Sequence, residues 1–435
     1  MKSFLPQSAR TRAIAFASVA AAVLVPTLAQ ASAFYIQEQS VRGLGRAYAG
    51  EGADQGAAGL WYNPASIARS GRELYIGFHG ITVGDSVSDF NGTIARPGQG
   101  TRPVGGRGNL NDTVQNGIVP NLAFAMPVGD RFAIGLSTAA PFNFTNKYGS
   151  ADPERFSGIK SRLNTVDIQV TGAMKVTEWL DLGVGVNTEY TSANLTGALP
   201  NISPLLPDGQ QQLKGDGWNV GYTVGAQGHF GKLDVGLSYR SAMDHDLDGQ
   251  ISASGLVGPL AGANFSSNGT AKFTTPYFVT LAGRYALTDK LTLDAQVQQQ
   301  GWSEFKSINV AYTGGGQVLP QNYHDTTTGS VGFDYQVNPK FVFRGGVAYD
   351  PTPTSDARDY RVPDGDRWLT TIGGSYLLRP NLTFDAAVGY INIDNSAVNN
   401  SQVFYGGTAA QTTVNNNGTV SGNGGIFSAG VRYKF

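Results

Sequence analysis

From Arg72 to the C-terminus, apolar and polar side chains alternate with a period of two in many short segments. The last segment is the clearest, with apolar residues at Phe427, Ala429, Val431, Tyr433 and Phe435 and Ser, Gly, Arg and Lys between them. Residues 233–240, 341–350 and 382–390 repeat the pattern. Because successive side chains of a strand point to opposite faces, these segments are predicted to be β-strands with one apolar face.

The connections between these segments indicate how the strands assemble. Six are short and polar, at 129–130, 177–178, 231–232, 288–290, 338–340 and 379–381. Seven are long and rich in Gly, Asn, Ser and Pro, at 85–115, 141–162, 195–216, 250–268, 308–326, 351–365 and 395–423. Six plus seven connections join fourteen strands. Short turns at one end and long loops at the other are typical of outer-membrane barrels and not of a soluble sandwich. We therefore predict an all-β fold, a 14-stranded antiparallel transmembrane β-barrel over residues 71–435.

Residues 34–66 differ from the rest, since they show neither strand alternation nor a continuous helical stripe. They contain six glycines and end in Asn63-Pro64-Ala65-Ser66. The side chains of a barrel this wide do not fill its interior, so a lumen remains. We predict that residues 34–70 fold back into the lumen as a plug, or hatch.

Residues 1–33 are expected to be a secretory signal peptide. Basic Lys2, Arg10 and Arg12 precede an apolar run at 13–28, and the small-residue cleavage site is Ala31-Ser32-Ala33, with cleavage after Ala31 as an alternative. The apolar run contains Pro26 and is too short for a confident membrane span. Export to the bacterial outer membrane is therefore expected.

Composition narrows the function classes further. The chain has no Cys, which excludes disulfides and thiolate metal sites. Its 31 basic and 32 acidic residues give no reason to expect a nucleic-acid partner. The tryptophans near strand ends are expected to lie in interfacial girdles: Trp179, Trp218, Trp302 and Trp368.

Short runs along the whole mature chain carry a family resemblance. The first is 40–50, Ser-Val-Arg-Gly-Leu-Gly-Arg-Ala-Tyr-Ala-Gly, with Asn63-Pro64-Ala65 after it. In the middle are 239–241, with His245 and Gly249, and Gly-Trp-Ser-Glu-Phe at 301–305. Near the end, 344–350 leads through Pro353 to Arg-Val-Pro-Asp-Gly-Asp-Arg-Trp at 361–368. Together they resemble the FadL/TodX family of outer-membrane transporters for long-chain fatty acids and other hydrophobic compounds.

The resemblance implies a fourteen-stranded barrel with an N-terminal hatch, which acts as a monomer in passive uptake. The ligand is expected to meet an apolar groove near the extracellular loops and then a tighter site beside the start of the hatch. It leaves sideways through a gap where the third strand kinks inward. Here that strand is about 132–140, followed by Pro141, which lacks the N–H that a ladder needs.

Candidate residues of the ligand pathway follow from the resemblance. Phe34 and Tyr35 are expected to touch the ligand, and Asn63-Pro64-Ala65 to lie at the wall opening. In the second long loop, Phe142, Phe144 and Phe156 are candidates for an outer capture groove. Loop packing or contact with lipopolysaccharide is the alternative for these three.

A long-chain fatty acid is the default ligand. Family members that carry fatty acids can place basic groups at the tighter site, but 191–195 and 323–328 contain only His324 as a basic candidate. Because imidazole is mostly neutral near pH 7, this departure favours neutral ligands such as monoaromatic hydrocarbons or terpenoids as the alternative.

A charged group near the C-terminal third is expected to face the lumen. Its members should pair with one another or contact the hatch, with direct ligand contact as the alternative: Arg344, Arg361, Asp364, Asp366 and Arg367.

Other chemistries find little support. Residues 244–249 match the opening of a calcium loop, but the twelfth position is Gly255 instead of Glu, so a polar strand near the outer rim is predicted. Four His without Cys do not suggest a zinc centre, and no Gly-x-Ser-x-Gly elbow is present. We predict no enzyme activity, metal or cofactor. A general diffusion porin and an adhesin remain competing classes.

Overall fold

The computed structural model of the chain describes residues 33–106 and 109–435, so the predicted signal peptide, apart from Ala33, lies outside the described residues. The described residues form 22 β-strands in one sheet. Their bounds are β1 Glu73–Ser88, β2 Thr93–Arg96, β3 Gly100–Pro103, β4 Leu110–Asn111, β5 Gly117–Val128, β6 Phe132–Ala139, β7 Phe144–Lys147, β8 Lys160–Lys175, β9 Leu180–Leu199, β10 Gly209–Phe230, β11 Leu233–Arg240, β12 Met243–Ser254, β13 Phe265–Thr275, β14 Phe278–Ala286, β15 Leu291–Gln300, β16 Ser307–Tyr312, β17 Gly315–Pro320, β18 Thr326–Asn338, β19 Phe341–Asp350, β20 Arg367–Arg379, β21 Leu382–Phe404 and β22 Thr412–Lys434.

Helical structure in the described residues is short. One α-helix, α1, spans Val41–Leu44, and single 3₁₀ turns lie at Glu51–Ala53, Ala57–Gly59, Pro64–Ile67, Pro153–Phe156, Gly258–Ala263 and Trp302–Glu304. No helix within 33–106 and 109–435 is long and apolar enough to cross a membrane.

Fourteen of the described strands form a closed antiparallel barrel. Around the wall they follow the order β1, β5, β6, β8, β9, β10, β11, β14, β15, β18, β19, β20, β21 and β22. The barrel closes where β22 pairs with β1, from Glu73 opposite Lys434 to Ser88 opposite Thr419. The predicted 14-stranded architecture is confirmed. Several strands continue beyond the wall, and β12 and β13 extend β11 and β14 in the same register.

The two faces of the wall are reversed relative to a soluble protein. Outward-facing Val170 and Val220 are 61% and 67% exposed, whereas inward-facing Gln169 and Asn187 are buried. An apolar outer face and a polar inner face are what a barrel in a bilayer requires. The alternation seen in the sequence therefore marks the lipid-facing side.

Several predicted connections are shorter than expected because their strands extend, and two of them show this most clearly. In place of a loop over 395–423, β21 runs to Phe404 and β22 begins at Thr412, beyond an irregularity between Ile393 and Ser396. Similarly, β9 and β10 leave only 200–208 between them. These extensions are paired strands rich in Thr, Asn, Gln and Gly that project beyond the bilayer. Because no lipid contacts them, neither face is consistently apolar, and the alternation of apolar and polar residues disappears.

Trp302 does not lie in an interfacial girdle. Trp179, Trp218 and Trp368 are about half exposed, but Trp302 is completely buried. Lys272 and Phe278 are six residues apart, but their partners, Asn309 and Gln300, are nine residues apart. The chain between β15 and β16 therefore carries three extra residues. This insertion forms the 3₁₀ turn Trp302–Glu304 and directs the indole inward.

Candidate functional site

The N-terminal segment, residues 34–70, is buried along nearly its whole length. Helix α1 contacts β1, β20, β21 and β22, the turn Glu51–Ala53 contacts β11 and β14, and the turn Pro64–Ile67 contacts β6, β8, β9 and β10. Since these strands lie on all sides of the barrel, the segment occupies the lumen.

Wall glycines let the segment approach the strands backbone to backbone. A Cβ atom at Gly236 would lie 2.0 Å from the Gly52 carbonyl oxygen, and one at Gly346 would lie 2.3 Å from that of Arg46. Any larger residue at these wall positions would displace the segment. Part of the glycine content of the strands is therefore explained by the packing of the N-terminal segment.

Buried ion pairs tie the middle of the segment to the wall. Arg46 pairs with Glu51 and Asp54 of the segment and, at 3.3 Å, with Asp334 of β18. Arg284 of β14 pairs with the same Asp54 and, at 2.9 Å, with Asp334. The surrounding guanidinium groups hold the pKa of Asp54 well below its usual range, against the effect of burial. The carboxylate therefore stays charged, and breaking one pair would leave a costly unpaired charge.

Above this network lies a partly open apolar cavity, in which the free space, open solvent included, is about 780 Å³. Its apolar lining is Phe34, Phe144, Leu163, Ala193, Leu195, Leu213, Leu247, Ala271, Phe273, Phe305, Ile308, Tyr323 and Val362. Gln321, Asp359 and Arg361 are the polar residues that line it. This composition suits a hydrophobic ligand.

The start of the segment forms the floor of this cavity. The Phe34 ring makes edge contacts with Trp302, Phe305 and Phe142 at centroid distances of 5.0, 5.2 and 5.9 Å. Tyr35 packs on Phe278 at 4.6 Å, and burial raises the pKa of its phenol to about 12. Phe34 and Tyr35 thus separate the cavity from the lumen below.

The wall is interrupted beside this floor. The β5–β6 ladder stops at the pair Leu122–Thr138, so residues 117–121 of β5 are paired only with β1 on their other side. From Ala140 the chain leaves the wall and bonds to the N-terminal segment. The Ile36 N–H donates to the Pro141 carbonyl at 2.7 Å, and the Asn143 N–H donates to the Phe34 carbonyl at 3.1 Å.

Gln39 lies in this interruption. Its side-chain oxygen accepts hydrogen bonds from the Asn121 amide of β5 at 2.5 Å and from the Ala140 N–H at 3.3 Å. Its amide nitrogen donates to the carbonyls of Ile36 and Ala140. One side chain therefore bridges the Asn121 side chain of β5 and the Ala140 backbone, where the β5–β6 ladder is missing. The adjacent Glu38 is buried, which raises the pKa of its carboxyl to about 7.

The whole-chain comparisons agree with this architecture. A sequence profile described as "Outer membrane protein transport protein (OMPP1/FadL/TodX)" matches residues 22–435. The chain belongs to this family. It is 27% identical to outer membrane protein P1 of Haemophilus influenzae, with 94% of this chain and 96% of that protein covered. It is 26% identical to the long-chain fatty acid transport protein of Escherichia coli O6:H1, with 86% and 89% covered.

Solved structures show the same fold. A Pseudomonas aeruginosa FadL homologue superposes with a TM-score of 0.80 at 23% identity, covering 92% of this chain and 99% of that one. The Ralstonia pickettii toluene transporter TbuX superposes with a TM-score of 0.60 at 22% identity, covering 87% and 94%. The chain is therefore an outer-membrane barrel of a transporter family.

The structure brings some of the predicted pathway residues together and separates others. Phe34, Tyr35, Phe142 and Phe144 share one aromatic cluster. Asn63 lies elsewhere. Its amide donates to the carbonyls of Gly52 at 2.7 Å and of Ala226 in β10 at 3.0 Å, and Pro64 and Ala65 pack on β9. The Asn-Pro-Ala run is thus not at the interruption beside β6.

Phe156 and His324 also lie apart from the cavity. Phe156 packs against Phe404 at 6.0 Å and under the Arg155 guanidinium at 4.4 Å. His324 is exposed, and the adjacent Tyr323 lines the cavity in its place.

The five charged residues predicted to face the lumen lie in three different environments. Arg344 bonds to Asp334 at 3.0 Å and packs near Gly45 of the N-terminal segment. Asp364 pairs with Arg367 and accepts the Ala33 N–H at 3.1 Å, while Asp366 accepts the Tyr349 hydroxyl at 2.6 Å. Arg361 lines the cavity and pairs with Asp359 at 3.4 Å.

Sequence reasoning missed the cavity residues contributed by the strands. On β9 the inward positions are polar at Asn187, Glu189 and Thr191 and become apolar at Ala193 and Leu195. These cavity residues could have been found by continuing the alternation of inward-facing positions along β9 beyond the part that crosses the membrane. Within 33–106 and 109–435, no group of three or more His, Cys, Asp or Glu side chains is arranged to hold a metal. Residues 244–249 lie on the regular strand β12.

Proposed function

We propose that this protein takes up hydrophobic molecules passively across the bacterial outer membrane, with a long-chain fatty acid as the default ligand. The observation that carries the proposal is the apolar cavity inside a barrel whose lumen is otherwise lined by polar side chains and filled by the N-terminal segment. A porin for hydrophilic solutes needs an open aqueous lumen, not this arrangement. The names of the relatives, a fatty acid transporter and a toluene transporter, agree with hydrophobic cargo.

In the proposed route, the ligand enters the cavity from the extracellular side and passes the floor formed by Phe34 and Tyr35. It then leaves through the interruption between β5 and β6 into the bilayer. Each CH₂ group exposed to water costs roughly 0.8 kcal/mol, so a sideways exit into lipid avoids a barrier that grows with chain length. The segment acts as the hatch, in which residues 34–39 move while the ion pairs of Arg46 hold the rest.

One cation, Arg361, and one anion, Asp359, line the cavity and pair with each other, so a fatty acid would share the Arg361 guanidinium with Asp359. Arg361 lines the cavity, its side chain is 16% exposed, and its buried Nε has no hydrogen-bond partner among the described residues. A guanidinium with a free N–H can bind a carboxylate end group. The rest of the lining accepts an alkyl chain or an aromatic ring equally well, so monoaromatic hydrocarbons and terpenoids are the alternative ligands.

Growth tests the proposal. A strain that lacks its own transporters of this family should grow on an 18-carbon fatty acid as sole carbon source when it expresses this chain, and should not grow with an empty vector. Growth on a sugar should be the same in both. If the chain restores growth on toluene only, the ligand class moves to neutral aromatics. Restoration on no hydrophobic substrate, with the barrel present in the outer membrane, would contradict the function. Large and steady ion conductance of the intact protein in planar bilayers would favour the porin alternative.

A further inference from the structure

Four cationic side chains cluster on the outer face of the wall, at the extracellular ends of neighbouring strands: Lys147, Lys160, Arg162 and Lys214. Lys147 of β7 lies directly opposite Lys160 of β8. Arg162 of β8 lies opposite Asn194 of β9, which in turn lies opposite Lys214 of β10. Lys160 and Arg162 are separated from the exposed Val170 by an even number of residues on β8, so all three face outward. Lys147 and Lys214 face outward with them, because residues opposite each other on neighbouring strands lie on the same face.

The position of this cationic patch relative to the membrane follows from the residues below it on the same strands. Val170, Val186 and Tyr222 lie on the exposed apolar band. Nearer the rim, the tilted rings of Tyr190 and Trp218 pack with centroids 5.3 Å apart and form an interfacial aromatic pair, with Tyr190 opposite Val166. Arg162 follows four residues further along β8, roughly 13 Å along the strand at 3.3 Å per residue. The patch therefore stands directly above the membrane boundary, at the depth of lipid headgroups.

In residues 33–106 and 109–435, no carboxylate is bonded to a cation of the patch. Among the described residues, none of the four cations forms an ion pair, and the Arg162 guanidinium contacts the neutral amide of Asn164. The nearest carboxylates on the same face are Asp216 of β10, which hydrogen-bonds the Tyr190 hydroxyl, and Asp248 of β12, which lies directly opposite Asp216. On β13, by contrast, the exposed Lys272 pairs with Asp246 at 2.7 Å. Like charges directly opposite each other, as in Lys147 and Lys160, destabilise a strand pair unless an anion lies between them.

We propose that the cationic patch binds the phosphate groups of the phosphorylated glycolipid in the outer leaflet, lipopolysaccharide. Arginine can hold a phosphate through two parallel N–H bonds, and the lysines add point charges around it. The acyl chains of the same lipid then lie along the apolar band below the aromatic pair. Because the cationic patch lies directly above the apolar band, one molecule with a phosphorylated headgroup and acyl chains fits both, which favours a lipid over a free phosphate ion. The site is independent of the ligand cavity, which opens on the other side of the same strands.

Native mass spectrometry of the full-length, detergent-purified protein tests this site. Titration with diphosphoryl lipid A should give a bound adduct. The Lys160→Gln/Arg162→Gln variant should bind it roughly tenfold more weakly or worse, since each basic residue near an anionic lipid surface contributes measurably. The matched control is Lys290→Gln/Lys340→Gln, which removes two exposed lysines from the short turns at the opposite end. The control should bind like the parent.

The choice of lipid separates the sources of phosphate. Monophosphoryl lipid A should bind more weakly than the diphosphoryl form, and phosphatidylglycerol more weakly still. Inorganic phosphate at millimolar concentration should displace little of the bound lipid A. Equal binding by the patch variant and the parent, equal loss in the control, or full displacement by inorganic phosphate would each overturn the proposal. Heat-modified electrophoretic mobility of each variant shows whether its barrel is folded.

Discussion

Oxidation of a Tyr35→Cys/Phe142→Cys variant should stop uptake of the hydrophobic ligand, and reduction should restore it. Tyr35 and Phe142 form an antiparallel bridge flanked by the hydrogen bonds Ile36 to Pro141 and Asn143 to Phe34. They are therefore a non-hydrogen-bonded pair, whose Cα atoms lie about 4.5 Å apart and suit a disulfide. The bond would fix the floor of the cavity to the chain that leaves the wall after β6.

The chain has no native Cys, so this disulfide has no competing partner. We expect uptake by the oxidised variant to fall to the level of the empty vector. Uptake by the reduced variant should recover to the rate expected when the losses caused by the two single substitutions are added. The single variants control for the loss of each aromatic ring and should not respond to reductant. Unchanged uptake by the fully oxidised variant, with the disulfide verified by mass spectrometry, would show that residues 34–36 need not move.

Filling the cavity should have the second largest effect. Ala193 of β9 lines the cavity, and an Ala193→Trp substitution places a large ring among Leu195, Leu213 and Phe144. Because the ligand and the indole cannot share this space, uptake should fall roughly tenfold or more. The N-terminal segment and its ion pairs are not touched by this change, so the barrel should still fold.

The matched control is Ala386→Trp, which makes the same substitution on the exposed outer face of β21. It should leave uptake unchanged, because tryptophan is well tolerated on a lipid-facing surface near the interface. Initial rates with a radiolabelled fatty acid, normalised to the amount of protein in the outer membrane, provide the measurement. Similar rates for Ala193→Trp and Ala386→Trp would remove the cavity from the ligand path.

The barrel could be predicted because its sequence signals, the alternation within a strand and the turn that follows it, each lie within a few residues. The alternation at 427–435 and in similar segments reports directly which side faces lipid, and short polar turns mark every second strand end. Where strands leave the bilayer, as in β21 and β22 beyond Ile393, water contacts both faces and the signal is lost. The sequence therefore predicted the strand number correctly but placed some strand ends too early.

The site depends on contacts that local patterns do not encode. The pairing of residues 34–36 with 141–143 joins segments about a hundred residues apart, and Gln39 meets Asn121 only because the β5–β6 ladder ends there. Trp302 faces inward because of three extra residues between β15 and β16, a register effect that requires the partner strands to be known. Phe34 was predicted from a family resemblance, whereas its neighbours Phe305 and Tyr323 required the structure.

Uptake through the apolar cavity can be tested by comparing the uptake rates of two solutes in cells that depend on this chain. One solute is a long-chain fatty acid, and the other is a hydrophilic sugar of similar mass. Expression of this chain should raise the initial rate for the fatty acid well above that of the empty vector and leave the rate for the sugar unchanged. An equal increase for both solutes, or an increase for the sugar alone, would contradict uptake through an apolar cavity.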